Sequence, residues 1–349
     1  MKARKFLTGA LALGGIAVAC ATVHGQEINV LAWCDHTDPA LLDPFTEQTG
    51  IRVNVRDYEG TGAGLALLDQ SRPGDWDVWV LDSPAIPEVV ALGKLAPLDP
   101  ADFPLSDIPA SVRNEGVHMV DGTWYGIPEK YGYHGFAFDK ERVDEADLQS
   151  IEDILDPRFE KRVAVYDYYR PIMGMIAASL GIYPGDFDEE DLEKVREYLM
   201  NLKPNVSVVA DIVTSQTALA TGDADVLFGG GEYAIATIIP ERPSLDWTIP
   251  TAGSVRYEQS IGIIADSEKK DEANQFLQYV LSPEGQARLA TSSCFWGLPA
   301  NTKADLTDEQ KAILRWDRQE EYLAKTTSYI APTGDLAAKA EAVWAEFMQ

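Results

Sequence analysis

The stretch from residue 28 to residue 83 constrains the fold most. It reads strand, helix, strand, helix, strand. Ile28, Val30 and Leu31 lie in an apolar first strand. Asp38 caps a helix with Pro39 at its first position, Leu41, Leu42 and Phe45 give that helix an apolar face, and Gly50 stops it. Ile51, Val53 and Val55 alternate as a second strand, a short helix is expected over 64–71, and Asp77-Val78-Trp79-Val80-Leu81 reads as a buried third strand. The strands run out into Trp33-Cys34-Asp35-His36 and Asp82-Ser83. Ligands of open α/β sheets collect beyond the carboxyl ends of the strands, so this edge is a binding edge.

An export signal precedes it. Lys2, Arg4 and Lys5 form a basic start, residues 6–23 are apolar and rich in small residues, and Val23-His24-Gly25 offers cleavage before Gln26. Residues 1–25 are therefore read as a cleavable signal peptide and the mature protein as periplasmic. A membrane anchor fits less well, because the apolar core is short and Gly-interrupted with no charged flank after it. Lipidation at Cys20 is the minor alternative. With 29 basic and 56 acidic side chains the net charge is -27. Such a surface repels nucleic acid and anionic lipid and favours cationic partners; for most of the acids, which are spread throughout the chain, solubility in a saline habitat is the preferred reading. Cys34 and Cys294 remain after signal removal, an even count in an oxidising compartment. They are read either as a disulfide or as two buried thiols.

The length suits two domains. Residues 131–138 form a strand that leaves the first lobe. A second α/β unit follows, with strands over 162–166, 206–210 and 226–228 and helices over 171–180, 189–201 and 215–220. Residues 259–265 form a strand that returns. Two crossings predict lobe 1 from residues 26–132 and 260–349, lobe 2 from 133–259, and a hinged cleft between them.

From here the residues resemble a known family. Leu31-Ala32-Trp33, Phe45-Thr46-Glu47-Gln48-Thr49-Gly50-Ile51, Asp77-Val78-Trp79-Val80, Gly126-Ile127-Pro128 with Tyr131-Gly132, and Ser282-Pro283-Glu284-Gly285 resemble the solute-binding subunits of bacterial ABC importers, in the spermidine/putrescine-binding branch. The resemblance implies the type II periplasmic-binding-protein fold: two α/β lobes joined by a two-strand hinge. It implies a monomer that carries a small molecule to permease subunits in the inner membrane, with no cofactor and no catalysis. In that branch aromatic side chains box the ligand's alkyl chain and carboxylates pair with its ammonium groups. Carried over, Trp33, Tyr257 and Trp296 are box aromatics, Tyr131 joins them, and Asp35 and Asp82 are polar strand-end contacts. A family carboxylate pair becomes Tyr168 and Pro171 here, and a third acid becomes Gln259.

Those departures leave the ligand open. Asp167 and Glu232 remain as carboxylates for an amine. Arg170 and Arg256 lie near the same edge and suit a carboxylate, sulfonate or phosphonate, so a zwitterion such as an amino acid or opine is the alternative. Tyr168-Tyr169 with His36 or Glu59 resemble a ferric site, whose phenolate and carboxylate oxygens suit Fe(III), although the tyrosine pair is displaced from where the iron-binding branch carries it. No H-E-x-x-H, P-loop lysine or G-x-S-x-G is present. A secreted enzyme is thus the reading of another class.

Overall fold

The computed structural model describes residues 26–182, 186–328 and 332–349; the signal and Cys20 lie outside them. Strands β1 (Glu27–Ala32), β2 (Arg52–Asp57) and β3 (Val78–Asp82) pair in parallel in the order β2-β1-β3. The helix Pro39–Thr49 between β1 and β2 begins where Asp38 accepts a hydrogen bond from the Ala40 amide, and ends at Gly50, whose φ of 75° favours glycine. The next helix, Thr61–Gln70, starts earlier than the apolar pattern suggested, because the chain turns into it at Gly60.

A small hairpin, β4 (Met119–Val120) and β5 (Thr123–Trp124), leads into β6 (Ile127–Asp139), all thirteen residues of which are buried. The second unit contributes β7 (Val163–Tyr166), β8 (Val206–Ala210) and β9 (Val226–Gly230), with β7 parallel to both neighbours. Strand β10 (Leu245–Thr248) pairs with the end of β6, and β11 (Ser254–Ile263) runs antiparallel beside β6 and then β3. The full order is β2-β1-β3-β11-β6-β9-β7-β8. The molecule is therefore two α/β lobes through which β6 and β11 both run. Among the described residues no helix is long and apolar enough to cross a membrane.

One apolar core gathers Val30, Phe45, Val80, Phe276 and Leu277; another gathers Val165, Ile176, Leu199 and Phe228. The C-terminal helix Gly334–Met348, expected on lobe 1, packs on the second core instead. Its apolar stripe explains this: Ala340, Trp344 and Phe347 are buried there, each large side chain stabilising by roughly 1.5–3 kcal/mol. Arg196 on the helix Glu189–Leu202 holds Glu346 with two bonds, at 2.7 and 2.5 Å. Cys34 and Cys294 are joined as a disulfide with Cα atoms 6.0 Å apart. It ties the loop after β1 to the segment after the helix Pro283–Ala290.

Candidate functional site: an aromatic cleft between the lobes

Strand phase decides which predicted residues reach the cleft. On β11, Tyr257 and Gln259 share one face, and Arg256 and Glu258 the other. Arg256 is consequently not an anion receptor. Its Nε binds Glu258 at 2.6 Å, both side chains buried, and its Nη2 binds the Ser111 carbonyl at 2.9 Å. On β6, Lys130 and Gly132 share one face, while Tyr131 and Tyr133 share the opposite one. The Tyr131 and Tyr133 hydroxyls both donate to Gln319 Oε1, at 3.2 and 2.7 Å. Tyr131 is thus a core residue rather than a box aromatic.

Asp35 was expected to receive a ligand amine. It is wholly buried and its Oδ2 already holds Lys130 Nζ at 2.8 Å. Its Oδ1 takes His36 Nδ1 at 3.0 Å, and His36 Nε2 reaches Glu129 at 3.2 Å. Gln259 Nε2 then bridges Asp35 and Glu129, 3.0 Å from each. Burial disfavours every charge in this cluster, but each is outweighed at Asp35 and His36. The Lys130 ammonium and His36 hold Asp35 well below the usual carboxylate range, and the Glu129 and Asp35 carboxylates raise His36. Two acids and two bases compensate one another, so the cluster has no spare carboxylate. It also removes His36 from any ferric set. Gln259 Oε1 is buried without a hydrogen-bond partner among the described residues.

Glu232 is the other buried carboxylate of the hinge. It opens the short helix Glu232–Ile235 after Gly229-Gly230-Gly231. It accepts from the Tyr133 amide at 3.2 Å and from the Tyr257 hydroxyl at 3.2 Å. Gly132 makes the space: a Cβ there would collide with Glu232 Oε1 and the Tyr257 ring. No ion pair reaches Glu232 among the described residues, and burial pushes its pKa up to about 8.

An aromatic path leads outward from Tyr257. Ring centroids separate Tyr257 from Tyr233 by 5.6 Å, Tyr233 from Tyr166 by 6.1 Å, and Tyr166 from Tyr168 by 6.1 Å. His134 joins the path 5.3 Å from Tyr233, and burial pulls its pKa down to about 4, leaving it neutral. Tyr168 lines a cavity of about 300 Å³ between the lobes, together with Glu59, Thr61, Asp82 and Arg170. Asp82 Oδ2 accepts the Thr61 hydroxyl at 2.9 Å. Arg170 Nε lies 3.4 Å from the Tyr169 hydroxyl.

The remaining expectations resolve by position. Trp33 is half-buried against the Tyr58, Trp79 and Leu81 cluster. Trp296 is half-buried, and its carbonyl lies 3.4 Å from the Tyr257 hydroxyl. Asp167 is absent from the cavity lining and accepts Trp344 Nε1 at 3.0 Å, a bond to the C-terminal helix. The structure therefore places Tyr168, Asp82 and Arg170 on the cavity, and the contacting rings of Tyr166 and Tyr233 link Tyr168 to Tyr257 and Glu232 behind it. It commits Asp35, Tyr131 and Asp167 elsewhere. The ionic cluster was missed, although Glu129-Lys130, adjacent charges inside an apolar, aromatic-rich strand, signals one.

Over 266 residues the chain is 25% identical to spermidine/putrescine-binding periplasmic protein 1 of Haemophilus influenzae, covering 75% of this chain and 72% of that protein. It is 23% identical over 348 residues to the putrescine/agmatine-binding protein of Pseudomonas aeruginosa, covering 95% and 93%. The fold matches the spermidine/putrescine ABC transporter substrate-binding protein PotD of Streptococcus pneumoniae with a TM-score of 0.77 at 21% identity, over 92% of this chain and 98% of that one. The family described as bacterial extracellular solute-binding protein matches residues 40–324, and the chain belongs to that family.

Proposed function

We propose that the protein is the exported binding subunit of an ABC importer and captures a small amine-bearing solute of the polyamine class between its lobes, without turning it over. The observation that carries this reading is Glu232: a buried carboxylate with no ion pair at the inner end of an aromatic path. Burying a lone carboxylate is costly, and a ligand ammonium supplies the missing countercharge. The rings of Tyr257, Tyr233 and Tyr166 offer π faces to the cation and apolar surface to the methylenes. At the mouth, Asp82 and Glu59 suit a second ammonium. The unpartnered Gln259 Oε1 is a further acceptor for an N–H donor. The loaded protein then delivers its cargo to permease subunits in the inner membrane.

The ligands for which those relatives are named belong to the same class. Arg170 at the cavity carries the second reading, a zwitterion whose acid it holds while Asp82 takes the amine. Titration calorimetry of the mature protein with putrescine, spermidine, agmatine, glutamate and an alkyl sulfonate separates the readings. Binding confined to the amines supports the first. Binding of glutamate with silence from every diamine contradicts it.

A further inference from the structure

Lys130 is an unusual element of the hinge. Its side chain is fully buried on β6, next to Glu129, which belongs to the same cluster. Its Nζ meets Asp35 Oδ2 at 2.8 Å, the Phe295 carbonyl at 3.1 Å and the Leu289 carbonyl at 3.3 Å. Three acceptors thus take the three ammonium protons. The Phe295 ring covers the same nitrogen, its centroid 3.8 Å away. Carboxylate, carbonyls and an aromatic face form a complete receptor for a primary ammonium.

This receptor adjoins the ligand site. The Tyr257 hydroxyl and the Lys130 stem both press on Gly297, where an added Cβ would stand 2.5 Å from that hydroxyl and 2.6 Å from Lys130 Cε. The same hydroxyl binds Glu232 at 3.2 Å. The Lys130 head is therefore one side chain removed from the proposed ammonium acceptor.

We propose that Lys130 is a tethered ammonium standing in an amine subsite, so that the cleft takes ligands with one inner ammonium, at Glu232, and excludes amines long enough to need the position Lys130 fills. The proposal rests on the polyamine reading for its ligand class, but the subsite itself does not. A free amine that reached this cage would have to displace a side chain whose ordering costs no translational entropy, so the tethered head wins. The chain selects short amines over long ones in this way.

Lys130→Ala removes three methylenes and the ammonium, a fragment matched by n-propylammonium. Thermal unfolding of the full mature protein is measured with 50 mM n-propylammonium chloride, n-propanol or neither. The variant should gain about 2 °C or more with the ammonium and not with the alcohol, and wild type should respond to neither. The double variant Lys130→Met with Asp35→Asn, which removes both charges together, should not respond. Calorimetry should also show the spermidine-to-putrescine affinity ratio of Lys130→Ala raised by about ten-fold over wild type. If Lys130→Ala folds only when n-propylammonium is present, the subsite stands. A variant that ignores n-propylammonium, whether folded or not, or an equal response in the double variant, overturns it. An unchanged affinity ratio in a folded Lys130→Ala overturns the selectivity claim. Failure of wild type to bind any polyamine strikes the ligand class alone, because the n-propylammonium response does not need the native ligand.

Discussion

Tyr257 donates its hydroxyl to Glu232 at 3.2 Å, and the two side chains come from different segments, β11 and the short helix after β9. The bond places an acid with a raised pKa against the Tyr257 ring at the inner end of the aromatic path. Under the proposed reading, ligand capture at Glu232 and proton balance are linked.

Glu232 is mostly protonated at pH 7 in the ligand-free protein, since burial raises its pKa to about 8. An ammonium needs the carboxylate, so binding expels a proton. Calorimetry of putrescine in buffers of different ionisation enthalpy should detect release approaching one proton per ligand at pH 6.5 and little at pH 9. Affinity should climb by up to about ten-fold per pH unit below pH 8. Glu232→Gln should flatten that climb and weaken binding by about ten-fold or more.

The same group makes a prediction for stability without ligand. Its folded pKa lies above its unfolded one, so its contribution is fully present below about pH 4.5 and is lost as pH rises through about 8. His118 and His134 have the opposite sign. Burial lowers both to about 4, so their contribution is present above about pH 6.5 and lost as pH falls through 4. Melting temperatures at pH 5, 7 and 9 should show Glu232→Gln gaining on wild type at pH 9 and converging with it toward pH 5.

Asp35 is predicted to be a stability residue. Asp35→Ala leaves Lys130 and His36 without their shared carboxylate in a dry cluster, and breaking a buried pair this way typically costs about 3–5 kcal/mol. Urea unfolding measures that loss. A mutation that weakened ligand affinity while leaving stability intact would return Asp35 to the binding site.

The Cys34–Cys294 bond closes a very long loop, 260 residues in sequence. Replacing both cysteines by serine should lower stability by about 2–5 kcal/mol, read by urea unfolding under non-reducing conditions.

Much of this was legible in the chain. Local chemistry fixed the element starts and stops: Asp38 and Gly50 bound their helix, and Ser282 caps Pro283–Ala290 through the Gly285 amide. The two crossings and the cleft followed from strand order. The site was less legible. Strand β6 is buried along its whole length, so it shows no polar–apolar alternation, and the phase that turns Tyr131 inward toward Gln319 cannot be read from it. Asp35 looked available because its partner Lys130 lies 95 residues away. Asp167 is drawn off by Trp344, 177 residues away. Long-range pairing, not residue type, separates a free carboxylate from a committed one.

Arg170 separates the two ligand classes. Against a diamine, Arg170→Ala removes a like charge from the cavity wall and should leave putrescine affinity equal or improved by a few-fold. A loss of ten-fold or more in calorimetry would favour the zwitterion.

The most direct measurement is a crystal structure of the mature protein with putrescine. One ammonium should lie about 3 Å from the Glu232 carboxylate, against the Tyr257 and Tyr233 rings, with the Lys130–Asp35 pair intact. An amine seated on Asp35 with Lys130 displaced, or a ligand held only at Arg170 with Glu232 untouched, would contradict the account.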